Sequence, residues 1–186
     1  MAAAEKLCPQ KGVRLIGDLP IFVAHDSADV WTFPDWFELD ERGRPLRVAG
    51  VPPDYFSPTG QHWGNPLFLW EQMAASRFYW WKLRLRMLFE SVDLVRIDHF
   101  RGFDQYWAIP GTDKTAENGS WVNGPGKKFF DAMIREFGTL PVIAEDLGLI
   151  TPEVNTMRKE CGFPGMKVLQ FAFSEDWQQP FLPHNV

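Results

Sequence analysis

The sequence predicts an α/β protein built on a parallel sheet. Short apolar runs of strand length alternate with segments of helical period, which is the order that repeated βαβ units produce. The runs are apolar at successive positions, as expected of strands covered by helices on both faces. Three of them also end in carboxylates, and chemistry on parallel sheets gathers at the C-terminal ends of strands. An open doubly wound sheet and a (β/α)8 barrel both fit this pattern.

The first run is residues 12–22 (GVRLIGDLPIF), the second 91–100 (SVDLVRIDHF) and the third 139–148 (TLPVIAEDLG). A fourth, 165–173 (GMKVLQFAF), has the same strand character without a terminal acid. Between them lie helices. In residues 77–90, Phe78, Trp81, Leu85 and Leu88 recur at helical spacing, and in 125–137 Phe130, Met133, Ile134 and Phe137 make a second apolar face. A third helix opens with Thr151 as N-cap and Pro152 at its first position, and stops at Gly162. About seventy residues separate the first two strands, far more than a crossover needs. Residues 26–76 of that span are rich in Pro, Gly and Trp and read as an inserted lid or small subdomain, with 38–45 (ELDERGRP) as an exposed turn. No internal repeat or low-complexity segment is present.

The 186 residues are 45% hydrophobic, enough for one sizeable core. A charged fraction of 23% and a net charge of −5 give no basic stripe, so nucleic acid is not an expected partner. No apolar run approaches the ~18 residues of a membrane span, and the first residues lack the apolar stretch of a signal peptide. Cys8 and Cys161 have no CxxC partner and read as reduced thiols, which points to a soluble, cytoplasmic protein. The four histidines show no metal-ligand spacing, and GxSxG, GxxxxGK[ST] and GxGxxG are all absent, so neither a metal nor a nucleotide cofactor is expected. Nine Trp, sixteen Phe and three Tyr are more than usual. Such residues either fill the core or offer flat faces for sugar rings to stack on.

Strand alternation puts Leu94, Arg96 and Asp98 on one face and Val95 and Ile97 on the other. By the same rule Arg14, Ile16 and Asp18 share a face, and Glu145 opposes Ala144 and Asp146. An arginine two residues before Asp98 on its own face holds that carboxylate ionised, the state suited to attack on an anomeric carbon. The apolar approach to Glu145 raises its pKa and keeps it available as a proton donor. Two carboxyls tuned in opposite directions are the minimum for glycoside chemistry. One strand-end acid alone is more often a cap or an ion-pair partner; Asp18, Asp98 and Glu145 at one rim reverse those odds. In the inserted segment, Tyr55, Phe56 and Trp63 sit among Gly and Pro. They could be pins of a compact loop or stacking surfaces, with Asp54, Gln61 and Asn65 beside them to bond sugar hydroxyls.

The blocks GDLPIFVAHDSADVW, VAGVPPDYFSPTGQHWGNPL, VRIDHFRGF, AEDLG followed by TPEV, and GFPGMKVLQFAF resemble successive blocks of the 4-α-glucanotransferases, or amylomaltases, of the α-amylase-like superfamily. The resemblance runs from about Gly12 to the last residue, and GVPPDYFSPTGQHWGNP is its most specific part. It implies a (β/α)8 TIM-type barrel with Asp98 as nucleophile, Glu145 as general acid/base and Arg96 orienting Asp98. It implies that His99 and Asp18 line the donor sugar site. Tyr55 and Phe56 would lie on a lid over the acceptor side, with Asp54 and Trp63 in the same loop region; Asn65 and Asp146 complete the expected substrate-binding set. The partners would be maltooligosaccharides and α-1,4-glucans, and no cofactor is needed. The family's third essential aspartate lies in a downstream Thr-His-Asp-Asn type motif that this chain does not reach. The chain therefore reads as a central piece of the barrel, about strands three to six, inactive alone. An α-amylase-type hydrolase and a non-catalytic glucan-binding fragment are the competing readings.

Overall fold

The computed structural model describes residues 7–8, 10–173 and 181–182. The three acid-ended runs form β1 (Ile16–Pro20), β4 (Leu94–Asp98) and β7 (Val142–Ala144), a parallel sheet with β4 in the middle. Register sets Asp18 opposite Arg96 and Pro20 opposite Asp98, while Arg96 stands opposite Ile143 on the other side. All three carboxylates therefore arrive at one end of the sheet.

Two helices cover one face of this sheet. They are α3 (Tyr79–Ser91) and α4 (Lys127–Phe137); α1 (Ala28–Thr32) and α2 (Trp70–Ala75) precede them, and α5 (Pro152–Glu160) follows. Leu19, Ile97 and Val142 of the strands meet Trp81, Leu85, Phe129, Phe130 and Met133 of the helices and Phe103 around one tight apolar space. Trp81 is fully buried, edge-on to Phe129 and Phe103 at 5.1 and 5.6 Å. Among the described residues thirteen aromatics are buried, and Phe33, Trp36, Phe89 and Phe137 pack partly buried against them. Thr151 caps α5 by accepting a hydrogen bond from Val154 N–H, with Pro152 in the first turn. The start of α3 is later than its apolar period implies, because Arg77 and Phe78 both take left-handed φ angles of 57° and 56° and turn the chain before the helix begins.

Within this chain the sheet is covered on one face rather than both. Burial alternates along β4, with Val95 and Ile97 buried and Leu94, Arg96 and Asp98 only half-buried, and Ile16 in β1 is 59% exposed. Ile16, Leu94 and Ile143 made the runs look two-sided, but they share the open face with the charges. The fourth run is also corrected: residues 165–173 form no strand, and Leu169–Ala172 is a turn of 3-10 helix. This segment meets β7 through Ala144 N–H on Pro164 O (2.9 Å), after which the Met166 N–H goes to the Asp146 carboxylate. A ladder loses the donor it needs there.

The inserted segment does not close on itself at 26–76. Its strands β2 (Arg47–Val51) and β3 (Gln61–Pro66) belong to a four-stranded antiparallel sheet of order β3-β2-β5-β6. The other two strands, β5 (Gln105–Pro110) and β6 (Ser120–Asn123), come from the crossover after β4. Pairing Arg47 to Gly50 with Pro110 to Trp107 gives β2 a second neighbour and removes an open edge. Within the 38–45 turn residues 41–44 are exposed, while Glu38, Leu39, Asp40 and Pro45 are half-buried, with Asp40 accepting from Arg42 and Arg44 N–H at 2.9 Å.

Candidate active site

The β1–β4 register makes Arg96 the centre of the charged rim. Its Nη1 donates to Asp18 Oδ1 and its Nη2 to Asp98 Oδ1, each at 2.6 Å. Burial draws the guanidinium pKa down, but the hydrogen bonds and charges of Asp18 and Asp98 outweigh this and raise it. Asp18 and Asp98 remain 61% and 43% exposed. Ion pairs this open contribute about 0–1 kcal/mol to stability, so what they chiefly supply is orientation. The arrangement is suited to presenting a carboxylate in fixed orientation.

His99 follows Asp98 directly and adopts φ +54°, a left-handed conformation uncommon for residues other than glycine. That turn directs its backbone N–H to Glu145 Oε2 at 2.8 Å, while Leu147 N–H reaches Glu145 Oε1 at 3.0 Å. Glu145 N–H in turn donates to Ile97 O and Phe100 N–H to Glu145 O. The ends of β4 and β7 are thereby stitched together, with Asp98 and Glu145 on neighbouring strand tips. Burial raises the Glu145 pKa, and the Asp98 charge adds to this; the two backbone hydrogen bonds and Arg96 act the other way without reversing it. This is the direction a proton donor requires. Burial, with the Arg101 charge behind it, lowers the His99 pKa to about 4, so its ring is neutral.

Trp63 completes this group, with its ring edge-on to His99 at 5.0 Å. The pairing of β2 with β3 slips between Val48 and Gly50, and Gly64 takes φ +78°, so Trp63 and Asn65 lie in a bulge. Bulges re-aim side chains beside sites. Asn65 is half-buried there. Asp54 serves its own turn: Oδ1 accepts from Phe56 and Ser57 N–H at 2.9 and 2.8 Å. The turn displays Tyr55 and Phe56, 96% and 90% exposed, which touch edge-to-face at 5.6 Å. Asp146 is a correction. Its side chain is 6% exposed and bonded within the protein, to Met166 N–H and against Arg158, rather than presented to a ligand. Strand alternation had placed it opposite Glu145, which was the available signal.

Two residues escaped the sequence reading. Arg101, 5% exposed, donates from Nη1 to Leu149 O at 2.7 Å and lies 4.0 Å over the Trp121 ring, bracing the loop after Glu145. Met166 places Sδ 3.3 Å from Arg96 Nε. An arginine in the Phe-rich turn 99–103 was a signal for the first; nothing in the sequence marked the second. Among the described residues no three His, Cys, Asp or Glu side chains are grouped to hold a metal ion, and no helix is long and apolar enough to cross a membrane.

Comparison with known proteins extends this. The model of glycoside hydrolase family 77, described as 4-alpha-glucanotransferase, matches residues 1–186. A 4-alpha-glucanotransferase of Thermus thermophilus is 59% identical over 174 residues, 94% of this chain and 35% of that protein. The chloroplastic/amyloplastic 4-alpha-glucanotransferase of Solanum tuberosum is 50% identical, covering 94% of this chain and 30% of its own length. The chain thus spans about a third of the length of these curated relatives. The structure of amylomaltase from Streptococcus agalactiae in complex with acarbose superposes with a TM-score of 0.95 at 42% identity, over 100% of this chain and 38% of that one. The chain belongs to the 4-alpha-glucanotransferase family, glycoside hydrolase family 77.

Proposed function

We propose that this chain carries the nucleophile and the acid/base of an enzyme that transfers α-1,4-glucan segments between maltooligosaccharides. The observation that carries the reading is the strand-end pair: Asp98 held by Arg96, beside Glu145 with its proton affinity raised by burial. In the first step Asp98 forms a bond to the anomeric carbon as the glycosidic C–O bond breaks, and Glu145 gives its proton to the departing sugar oxygen. In the second, Glu145 takes the proton of an acceptor sugar hydroxyl, whose oxygen attacks the anomeric carbon and releases Asp98. Two inversions give net retention.

In the same reading Asp18 and His99 line the donor sugar site, while Trp63, edge-on to His99, and Asn65 in the same bulge belong to the loop region of the acceptor side. Tyr55 and Phe56, displayed by Asp54, cover the acceptor side with apolar surface. They favour a stacked sugar hydroxyl over water, since positioning is worth orders of magnitude in rate. The three parallel strands are central strands of a (β/α)8 barrel, lying within about three to six of eight, and the barrel's interior is the open, charged face. The antiparallel sheet forms the lid subdomain. The protein works in the cytoplasm, in keeping with two free cysteines, and needs no cofactor.

The test uses an enzyme of full family length carrying residues 1–186 in place of its own segment, supplied with maltotriose alone. Glucose plus a ladder of products longer than the substrate is expected. Short reducing sugars with nothing longer than maltotriose would overturn transfer in favour of amylase-type hydrolysis.

A further inference from the structure

Each of the three nitrogens of Arg96 has one partner: Nη1 on Asp18, Nη2 on Asp98 and Nε on Met166 Sδ. A guanidinium held at two points can still tilt about the line through them. A third contact removes that freedom. Thioether sulfur is a weak acceptor, so what the contact supplies is geometry more than energy.

The sulfur's own place is set by Asp146. Oδ1 of that carboxylate accepts the Met166 N–H at 2.7 Å, and Oδ2 lies 3.1 Å from Arg158 Nε, in ion-pair contact although that N–H is not aligned as a hydrogen bond. Arg158 Nη1 also donates to Phe163 O at 2.9 Å, so the end of α5 and the turn before Met166 are gripped by the same pair. Gly165 lies directly on the carboxylate, where a Cβ would stand 2.3 Å from Asp146 Oδ2. Burying a charge in this way is costly unless it is paired, and the cost falls one residue after Glu145.

We propose that Asp146 and Met166 are positioning residues: the buried carboxylate seats the methionine, the methionine fixes the tilt of Arg96, and Arg96 presents Asp98 for attack. This rests on Asp98 being the nucleophile. It links the tip of β7 to the nucleophile on β4, so that one strand end both carries the proton donor and orients its counterpart.

The test measures kcat, KM for maltotriose and Tm in the full-length enzyme carrying residues 1–186. Met166→Leu keeps the size and removes the sulfur. It should lower kcat about five- to tenfold with KM within about twofold and Tm unchanged. Met166→Gln offers an amide oxygen at similar reach and should recover most of the loss, whereas a residue that only fills apolar space would be harmed by that change. Asp146→Asn should lower kcat about tenfold or more; should it fail to fold, the Met166 pair decides. If Asp98→Asn abolishes turnover while Met166→Leu and Asp146→Asn keep kcat within about twofold of the parent, the positioning device is overturned and the nucleophile stands. If Asp98→Asn itself retains turnover, both fall together.

Discussion

The strand-end rim and the 52–58 turn are built in opposite ways. At the rim Arg96 and Glu145 are fixed from several elements, and Asp18 and Asp98 are each bonded to Arg96. Arg96 reaches β1, its own strand and the 164–168 segment, and Glu145 is held by N–H groups from the ends of both β4 and β7. In the turn, Asp54 organises only its own backbone, and Tyr55 and Phe56 touch chiefly each other. Bond-making groups must be placed to within fractions of an ångström, so buried strand register sets them. A stacking surface tolerates looser placement and can sit on a self-contained loop. Substitutions at the rim should therefore act on rate, and substitutions in the turn on which acceptor is used.

The largest effects belong to the rim. In the full-length enzyme Asp98→Asn and Glu145→Gln should each cut turnover on the order of a thousandfold or more, measured as glucose release from maltotriose, with the fold retained. Arg96→Lys comes next, at about a hundredfold, because a single ammonium cannot hold Asp18 and Asp98 in the fork that two guanidinium nitrogens make. Equal losses from Asp54→Ala would break the contrast between the two regions.

Smaller effects appear as stability against pH. The Glu145 pKa is raised in the fold, so the folded state favours the protonated form. Its contribution is fully present below the ordinary value of 4.5 and is lost as pH rises through the higher folded value. Glu145→Gln should therefore raise Tm at pH 7 while leaving it nearly unchanged at pH 4. His99 works in the other direction. Its pKa falls from 6.5 to about 4, so stability should decline as pH drops across that interval, and His99→Gln should flatten the decline. Tyr55→Ala or Phe56→Ala should have the least effect on folding, within about 0.5 kcal/mol. Each should still shift products toward hydrolysis more than it lowers total bond cleavage.

Period-two alternation made the shared face of Leu94, Arg96 and Asp98 legible, and the three strand-end acids and the α5 cap were legible for equally local reasons. What stayed hidden depends on partners distant in sequence. Asp18 and Arg96 are 78 residues apart and meet only through parallel register. The antiparallel sheet draws strands from either side of β4, so no local composition shift marks its limit. The 165–173 segment has strand propensity, yet Asp146, twenty residues before Met166, takes the Met166 N–H. Asp146 itself looked like one more polar residue at the rim, and only its pairing with Arg158 and Met166 separates it from Glu145.

The most direct measurement is the mass of the peptide spanning residues 95–103 after Glu145→Gln enzyme of full family length is quenched during reaction with an activated maltosyl donor. With proton donation lost and an activated leaving group supplied, the first step should proceed and the second should stall. A single maltosyl addition on Asp98 is expected. An unmodified Asp98 in enzyme that has released its leaving group, or the sugar found on another side chain, would contradict the assignment of Asp98 as the nucleophile.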